Sequence, residues 1–332
     1  MILRVVLPIL LLSASPPIAA AEVEPLGIRL EKYDYPFPVS TLSLRRQNQE
    51  LEMAYMDVHP VDPNGETVLL LHGKNFNGAY WERTARDLAE KGYRVVMPDQ
   101  IGFGKSSKPE HFQYSFHALA DHTRLLLDEL KIQEAHVLGH SMGGMLATRF
   151  VLMFPARSRS LVLVNPIGLE DWKQVVPYPG IDTWFKQELA STAEKIKSYQ
   201  LESYYDGKWK PEYDEWVEVL TGMLASDDYP RLAWNQALTY DMIFTQPVVH
   251  EFFRVKVPAL LIIGQRDTTA LGKASVPPDV AKTLGNYPEL GKKAAVAIPD
   301  AKLVELDDVG HLPHIEAFQR FFPPLLEFLE AK

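Results

Sequence analysis

The segment Gly139-His140-Ser141-Met142-Gly143 has the residue types and spacing that suit covalent chemistry. It follows a short apolar run, Ala135-His136-Val137-Leu138, and precedes a helix-like run from Met142 to Phe154. A Gly-x-Ser-x-Gly between a strand and a helix is a nucleophile elbow, which exposes the serine at the carboxyl end of a central strand. There the positive end of the helix dipole favours developing negative charge. A serine hydroxyl attacks only when a base takes its proton, and that base needs a carboxylate to orient it and stabilise its cationic form. Two later positions meet this need. Asp267 follows the run Leu261-Ile262-Ile263-Gly264, and His311 sits in Asp308-Val309-Gly310-His311, after the run Lys302 to Leu306. The rival acids are Asp241, Asp307 and Asp308, and the rival base is His314.

The tetrahedral intermediate of acyl transfer carries an oxyanion, which two backbone N–H groups must meet. Met142, directly after the serine, supplies one. The loop Leu71-His72-Gly73-Lys74-Asn75-Phe76 offers the other, with Gly73 permitting a tight bend and Lys74 presenting its amide. The Lys74 side chain could bind a substrate carboxylate or point into solvent. His72 and His140 read as structural, the first tying loops together and the second shaping the elbow and pocket wall. This chemistry requires no metal and no organic cofactor.

These residues must sit on something that holds them. Short apolar runs buried on both faces mark parallel strands. They recur at Val68–Leu71, Tyr93–Met97, Ala135–Leu138, Leu161–Val164, Ala259–Ile263 and Lys302–Leu306. Before them, Thr41–Leu44 and Leu51–Met56 flank the polar turn Gln47–Glu50, which reads as a hairpin. Helical patterns alternate with the strands: Ala79–Lys91 closed by Gly92, Phe116–Leu130, and Met142–Phe154 closed by Pro155. This alternation implies an α/β fold with a mainly parallel sheet. It breaks over residues 166–254, which hold five of the six tryptophans and show no strand run. Trp216, Leu220, Met223 and Leu224 have helical spacing there. The division expected is therefore a core of residues 22–165 and 255–332 with a helical cap over 166–254. A cap of this composition favours an apolar or aromatic small-molecule substrate.

Composition narrows the partners. The formal net charge is −9 with no basic run, which argues against nucleic acid and anionic membrane surfaces. There is no cysteine, so disulfides, thiol catalysis and cysteine metal sites are excluded. Residues 1–21 carry Arg4, the apolar stretch Val5–Leu12 and Ala19-Ala20-Ala21, the pattern of a secretory signal too short for a permanent membrane span. The expectation is an exported protein, periplasmic or extracellular, without an integral membrane segment once residues 1–21 are removed.

Taken with Leu70-Leu71-His72-Gly73, Asp99-Gln100-Ile101-Gly102-Phe103-Gly104-Lys105-Ser106, Gly264-Gln265-Arg266-Asp267 and Gly310-His311, the elbow resembles the α/β-hydrolase superfamily. The likeness is to its cap-bearing esterases, proline-iminopeptidase-like enzymes and carbon–carbon bond hydrolases. The resemblance implies an eight-stranded, mainly parallel sheet flanked by helices, with the cap inserted after the sixth strand. Asp99 to Ser106 then corresponds to a structural turn without chemistry. Relatives that dehalogenate or open epoxides carry aspartate where this chain has Ser141, so acyl chemistry is favoured. The expectation is a serine hydrolase acting on a carboxylic ester. An aminopeptidase or amidase is the alternative, with Glu170, Asp171, Asp182 or Glu188 receiving an amine. A carbon–carbon hydrolase, or a small-molecule sensor on the same fold, are the others. The long stretch between Asp267 and His311 could edge the pocket, and Pro323-Pro324 is expected to interrupt the last helix.

Overall fold

The computed structural model describes residues 23–331; the expected signal over residues 1–21 lies outside them. The chain opens with the hairpin β1 (Val39–Arg46) and β2 (Gln49–Val58), then β3 (Thr67–Leu71), α1 (Glu82–Glu90), β4 (Arg94–Pro98) and α2 (Phe116–Glu129). Next come β5 (Ala135–His140), α3 (Met142–Met153) and β6 (Ser158–Val164). Helices α4 (Ile181–Leu189), α5 (Ala193–Tyr199), α6 (Asp214–Leu224) and α7 (Tyr229–Thr245) follow before β7 (Ala259–Gly264). The chain ends with α8 (Pro278–Ala281), α9 (Tyr287–Ala297), β8 (Ala301–Leu306), α10 (Pro313–Glu316) and α11 (Phe318–Glu330). All eight strands form one sheet, in the order β1-β2-β4-β3-β5-β6-β7-β8. From β4 to β8 every neighbouring pair is parallel, and only β1 and β2 run against their neighbours.

Every residue of β3, β5 and β7 is buried, because helices cover both faces of the sheet. Successive side chains point to opposite faces. Leu69 and Leu71 therefore pack with α2 and α3, while Val68 and Leu70 pack with α1 and α11. The same alternation separates Leu161 and Leu163 from Val162 and Val164, and Leu261 and Ile263 from Leu260 and Ile262. Burying each such side chain contributes about 1.5–3 kcal/mol, and this holds a sheet edge rigid enough to carry loops.

Three local details differ from expectation. The hairpin turn is tighter than a four-residue loop: Gln47 and Asn48 alone take positive φ, 50° and 59°, and β2 already begins at Gln49. Two left-handed residues match the twist of the flanking strands, and Gln47 is fixed by reciprocal bonds to Gln113, at 2.8 and 3.0 Å. The helix expected from Ala79 starts as a 3₁₀ turn, Gly78–Trp81, capped by the Asn77 side chain. Helix α11 runs through Pro323 and Pro324 without ending. Two amide donors are lost there, but Phe321, Leu325, Phe328 and Leu329 bury a continuous face on the sheet.

The approach of α3 to β3 leaves no room for a side chain at Gly143. A Cβ there would collide with the Leu71 carbonyl and lie 2.8 Å from the His72 carbonyl oxygen. Gly65 is the reverse case, with a left-handed φ of +85° but nothing within 4 Å. Gly143→Ala is expected to cost more than about 3 kcal/mol, against about 1 kcal/mol for Gly65→Ala. Chemical denaturation of the two variants measures this, and equal losses would mean that the β3–α3 contact yields easily.

Candidate active site

Ser141 links β5 to α3 with φ 55° and ψ −122°, a conformation costly for any residue with a side chain. The surroundings over-determine it. Its N–H donates to Val164 O at 3.2 Å, and its carbonyl accepts from Gly144 N at 2.9 Å and Ile167 N at 3.2 Å. At Gly139 a Cβ would overlap the Gly143 carbonyl, so the elbow closes only with glycine there. Ser141 keeps 7% of its surface and opens into a cavity of about 550 Å³.

His311 and Asp267 meet beside the elbow. His311 Nδ1 donates to Asp267 Oδ2 at 2.6 Å, and both side chains are fully buried. A carboxylate can only accept, so Nδ1 carries the proton of this bond, and in the neutral ring Nε2 holds a lone pair. Nε2 is buried and makes no hydrogen bond among the described residues, one to Ser141 included. Catalytic contacts of this kind commonly tighten when a substrate arrives. Asp267 is itself held. Asn165 Nδ2 donates to Oδ2 at 2.8 Å, and Thr269 N donates to Oδ1 at 2.8 Å. Asn165 also accepts Gly264 N–H at 2.8 Å, which pins the end of β7. The histidine loop is clamped from outside by Glu316, which accepts Gly310 N–H at 2.6 Å and pairs with Arg266.

A chain of hydrogen bonds joins this loop to the one after β3. His140 Nε2 donates to the His311 carbonyl at 2.8 Å. A carbonyl only accepts, so in the neutral ring Nδ1 accepts from the Tyr80 hydroxyl at 3.0 Å. Tyr80 Oη in turn accepts Gly73 N–H at 2.9 Å. Burial holds His140 well below the usual histidine range, so it stays neutral. His72 plays a matching part. It donates from Nδ1 to Gly73 O at 2.8 Å and accepts Gln100 N–H at Nε2 at 3.0 Å. Among the described residues, neither the Lys74 nor the Met142 amide donates to another protein group. The Met142 amide is also the first of α3, where no intrahelical partner exists.

The Lys74 side chain does not point into solvent; it turns inward and lines the cavity at Ser141. It is 8% exposed. Nζ donates to Gln236 Oε1 at 2.7 Å, lies 3.7 Å from Glu188 Oε1 and sits 3.5 Å from the centre of the Tyr240 ring. Burial lowers its pKa to about 8, against the opposing pull of Glu188.

The rival residues lie elsewhere. Asp241 is bound by the Tyr178 hydroxyl at 2.6 Å, and Asp307 and Asp308 are exposed. His314 packs its ring 4.2 Å from that of Trp81 and 4.8 Å from that of Tyr80, and burial keeps it neutral. Asp171 pairs with His250 at 3.0 Å, Asp182 is exposed, and Glu170 accepts Gly285 N–H at 2.8 Å. Of the four cap acids only Glu188 lines the cavity. The stretch Thr268–Ser275 lines it too, opposite Trp184, Tyr199 and Tyr240. Among the described residues, no cluster of three or more His, Asp or Glu side chains could hold a metal.

Two residues of this site carried no sequence signal. Asn165 ends β6 as an ordinary polar residue after a strand. Tyr204 lies between α5 and α6. Its ring stacks on that of His311, 4.7 Å apart at 22°, its carbonyl accepts His311 N–H at 3.0 Å, and its hydroxyl accepts from Asn75 Nδ2 at 2.9 Å.

The alpha/beta hydrolase fold family matches residues 66–318. The chain belongs to that family. A solved structure of a probable hydrolytic enzyme from Pseudomonas aeruginosa is 53% identical to this hydrolase, with a TM-score of 0.91, covering 92% of this chain and 99% of that one. A 2-hydroxy-6-oxononadienedioate/2-hydroxy-6-oxononatrienedioate hydrolase of Paraburkholderia phymatum is 30% identical over 84% of this hydrolase and 91% of its own length. Lipase 1 of Psychrobacter immobilis is 26% identical over 76% of this chain and 73% of its own.

Lys74 also makes a pH prediction for the hydrolase. Its folded value is about 8 against 10.5 when free. Between these values the unfolded chain binds more protons, so stability from this group rises with pH across that window. Relative to Lys74→Met, the unaltered protein should gain on the order of 3 kcal/mol from the lower to the upper end. Denaturant titrations of both proteins across the window measure the difference, and a constant difference would contradict burial of a charged amine.

Proposed function

We propose that this protein is a serine hydrolase that cleaves a small to medium carboxylic ester through an acyl-enzyme. The observation that carries the reading is the His311–Asp267 bond of 2.6 Å, in a loop that His140 ties at 2.8 Å to the elbow where Ser141 is held at φ 55°. In this reading Ser141 Oγ attacks the carbonyl carbon and His311 Nε2 takes its proton. Asp267 holds the ring and stabilises the imidazolium. The carbonyl oxygen, now an oxyanion, accepts from the amides of Met142 and Lys74. His311 then protonates the leaving alkoxide, and a water activated by the same nitrogen hydrolyses the acyl-enzyme. Helix α3 adds the positive end of its dipole at the oxyanion.

The cavity supports an apolar or aromatic substrate, since Trp172, Trp184, Tyr199, Tyr240 and Ile243 line it. An amine substrate would need a buried, unpaired acid; of the two acids that line the cavity, Glu188 already faces Lys74 and Glu202 is exposed. The dienedioate hydrolase among the relatives favours a second reading, carbon–carbon cleavage with the same three residues. A diacid would need a free cation; of the two lysines that line the cavity, Lys74 is committed to Glu188 and Gln236 and Lys273 donates to the Thr268 carbonyl, so the ester reading is preferred. Export is part of the proposal, supported by Arg4, the apolar Val5–Leu12 and the small residues Ala19 to Ala21.

Hydrolysis of chromogenic esters by residues 22–332 tests the reading. Ser141→Ala should lose roughly 10⁴–10⁶-fold in rate. Asp267→Asn, which keeps the shape but permits the wrong tautomer, should lose about 10⁴-fold. Turnover of dienedioates without turnover of esters would shift the assignment to carbon–carbon cleavage. Equal activity of Ser141→Ala and the unaltered protein would refute the nucleophile.

A further inference from the structure

A second chamber of about 190 Å³ lies behind Lys74, and its walls are the stripes that two cap helices turn inward. On α6 these are Trp216, Val219, Leu220 and Met223; on α7 they are Tyr229, Leu232, Gln236 and Tyr240. Both sets recur at three- and four-residue steps, so each is one face of its helix. Phe76 and Phe103 close the side nearest the sheet. The apolar face of α6 is thus partly spent on lining empty space: Leu220 and Met223 remain half-exposed inside the fold. An apolar cavity of this kind gives up dispersion contacts that an apolar occupant would restore.

The chamber and the cavity at Ser141 share Lys74, Asn75, Glu188, Ser191, Tyr199 and Tyr240 in their walls. Those residues form a collar between the two spaces. Its charges are matched, since Lys74 Nζ lies 3.7 Å from Glu188 and bonds Gln236 at 2.7 Å. A neutral chain can pass along the Lys74 stem and the Tyr240 ring without stranding a charge. A charged chain end would have to be desolvated beyond the collar, where the one further cation in the wall, Lys195, already donates to the Ala190 carbonyl at 2.6 Å.

The direction of the chemistry says which part of a substrate goes there. His311 must reach the leaving oxygen, so the alcohol side faces His311, Tyr204 and the stretch Thr268–Ser275. Tyr204 and that stretch line the Ser141 cavity, and none of these residues lines the second chamber. The oxyanion residue Lys74 lies in both walls, so the acyl side leads towards the chamber. Resting on the serine-hydrolase reading, we infer that the chamber behind Lys74 is the acyl site, and that it takes an uncharged, linear aliphatic acyl chain of medium length through the Lys74–Glu188 collar.

The test uses nitrophenyl esters with one leaving group and acyl chains from acetyl to decanoyl, on the unaltered protein, Leu220→Trp and Met223→Ala. Leu220→Trp fills the chamber, so the ratio of kcat/KM for octanoyl over acetyl should fall about ten-fold or more. Met223→Ala enlarges it and should move the preferred chain to greater length. Alkyl fluorophosphonates of short and long chain give a second readout, the rate of Ser141 labelling, with Ser141→Ala as the blank. Labelling that occurs but loses no chain-length dependence in Leu220→Trp, together with an unchanged octanoyl-to-acetyl ratio, overturns the acyl site alone. An unaltered protein that prefers a carboxylate-ended chain over the aliphatic chain of equal length also overturns it. Failure of every probe to label Ser141 overturns the serine-hydrolase reading and the acyl site with it.

Discussion

Loops from widely separated parts of the chain have to meet at one edge of the sheet, and the neutral imidazole of His140 makes them meet. It receives the Tyr80 hydroxyl on one side and gives its own proton to the His311 carbonyl on the other, while Tyr80 accepts from Gly73. The loop after β3, the end of β5 and the loop after β8 are thereby joined in a single buried series. Each such bond contributes only about 1 kcal/mol net, but in a low-dielectric interior a missing member strands the others. The series works only with His140 neutral and protonated on Nε2. Burial secures the first condition, and the His311 carbonyl secures the second. A cation there would donate from both ring nitrogens, and the Tyr80 hydroxyl would lose its acceptor, since Gly73 N–H can only donate to it.

The helices between β6 and β7 are tied into the same arrangement. Tyr204 touches His311 by ring and by carbonyl and reaches the loop after β3 through Asn75. Gly310 has no space for a Cβ against the Tyr204 carbonyl, so the two backbones are as close as they can be. Moving this turn would uncover the imidazole and release His311 N–H together. The stretch Thr268–Ser275 is bound differently. It lines the Ser141 cavity and is held by local bonds, Thr269 N to Asp267 and Lys273 to the Thr268 carbonyl among them. The acid's own loop therefore forms a wall of the cavity, and a substrate pressing on that wall would act directly on the Asp267 carboxylate.

Much of this was legible in the chain. Strands buried on both faces must be short and apolar, and such runs marked β3 to β7, while β8 was found from the run Lys302–Leu306. The positions of Ser141, Asp267 and His311 were legible because each comes directly after such a run. Asn165, Tyr204 and Glu316 were not legible. Each acts through a partner distant in sequence: Asn165 on Asp267, Tyr204 on His311, Glu316 on Gly310. No periodicity encodes such pairings. The apolar stripe of α6 was visible as helical spacing, but spacing cannot distinguish a face that fills a core from one that lines a cavity. The Lys74 side chain was misjudged for a related reason. A lysine in a loop is normally solvated, and its burial depends on Glu188, Gln236 and Tyr240, none of which lies near it in the sequence.

That burial has a mechanical consequence. The Lys74 backbone sits at the edge of the sheet and its side chain is held by α4 through Glu188 and by α7 through Gln236 and Tyr240. A small residue at this position would leave the loop bound to the segment between β6 and β7 by the Asn75–Tyr204 hydrogen bond, without the lysine's contacts. With lysine, the residue after Gly73 is held from both sides, by the core through Gly73 and by the helices above. The arrangement costs something, since burial opposes the charge and only a partner as close as Glu188 offsets it. Such a cost is tolerable where position matters more than stability. The reaction proposed for this site sets such a requirement on the Lys74 amide, because preorganised oxyanion donors act without reorganising at the moment of reaction.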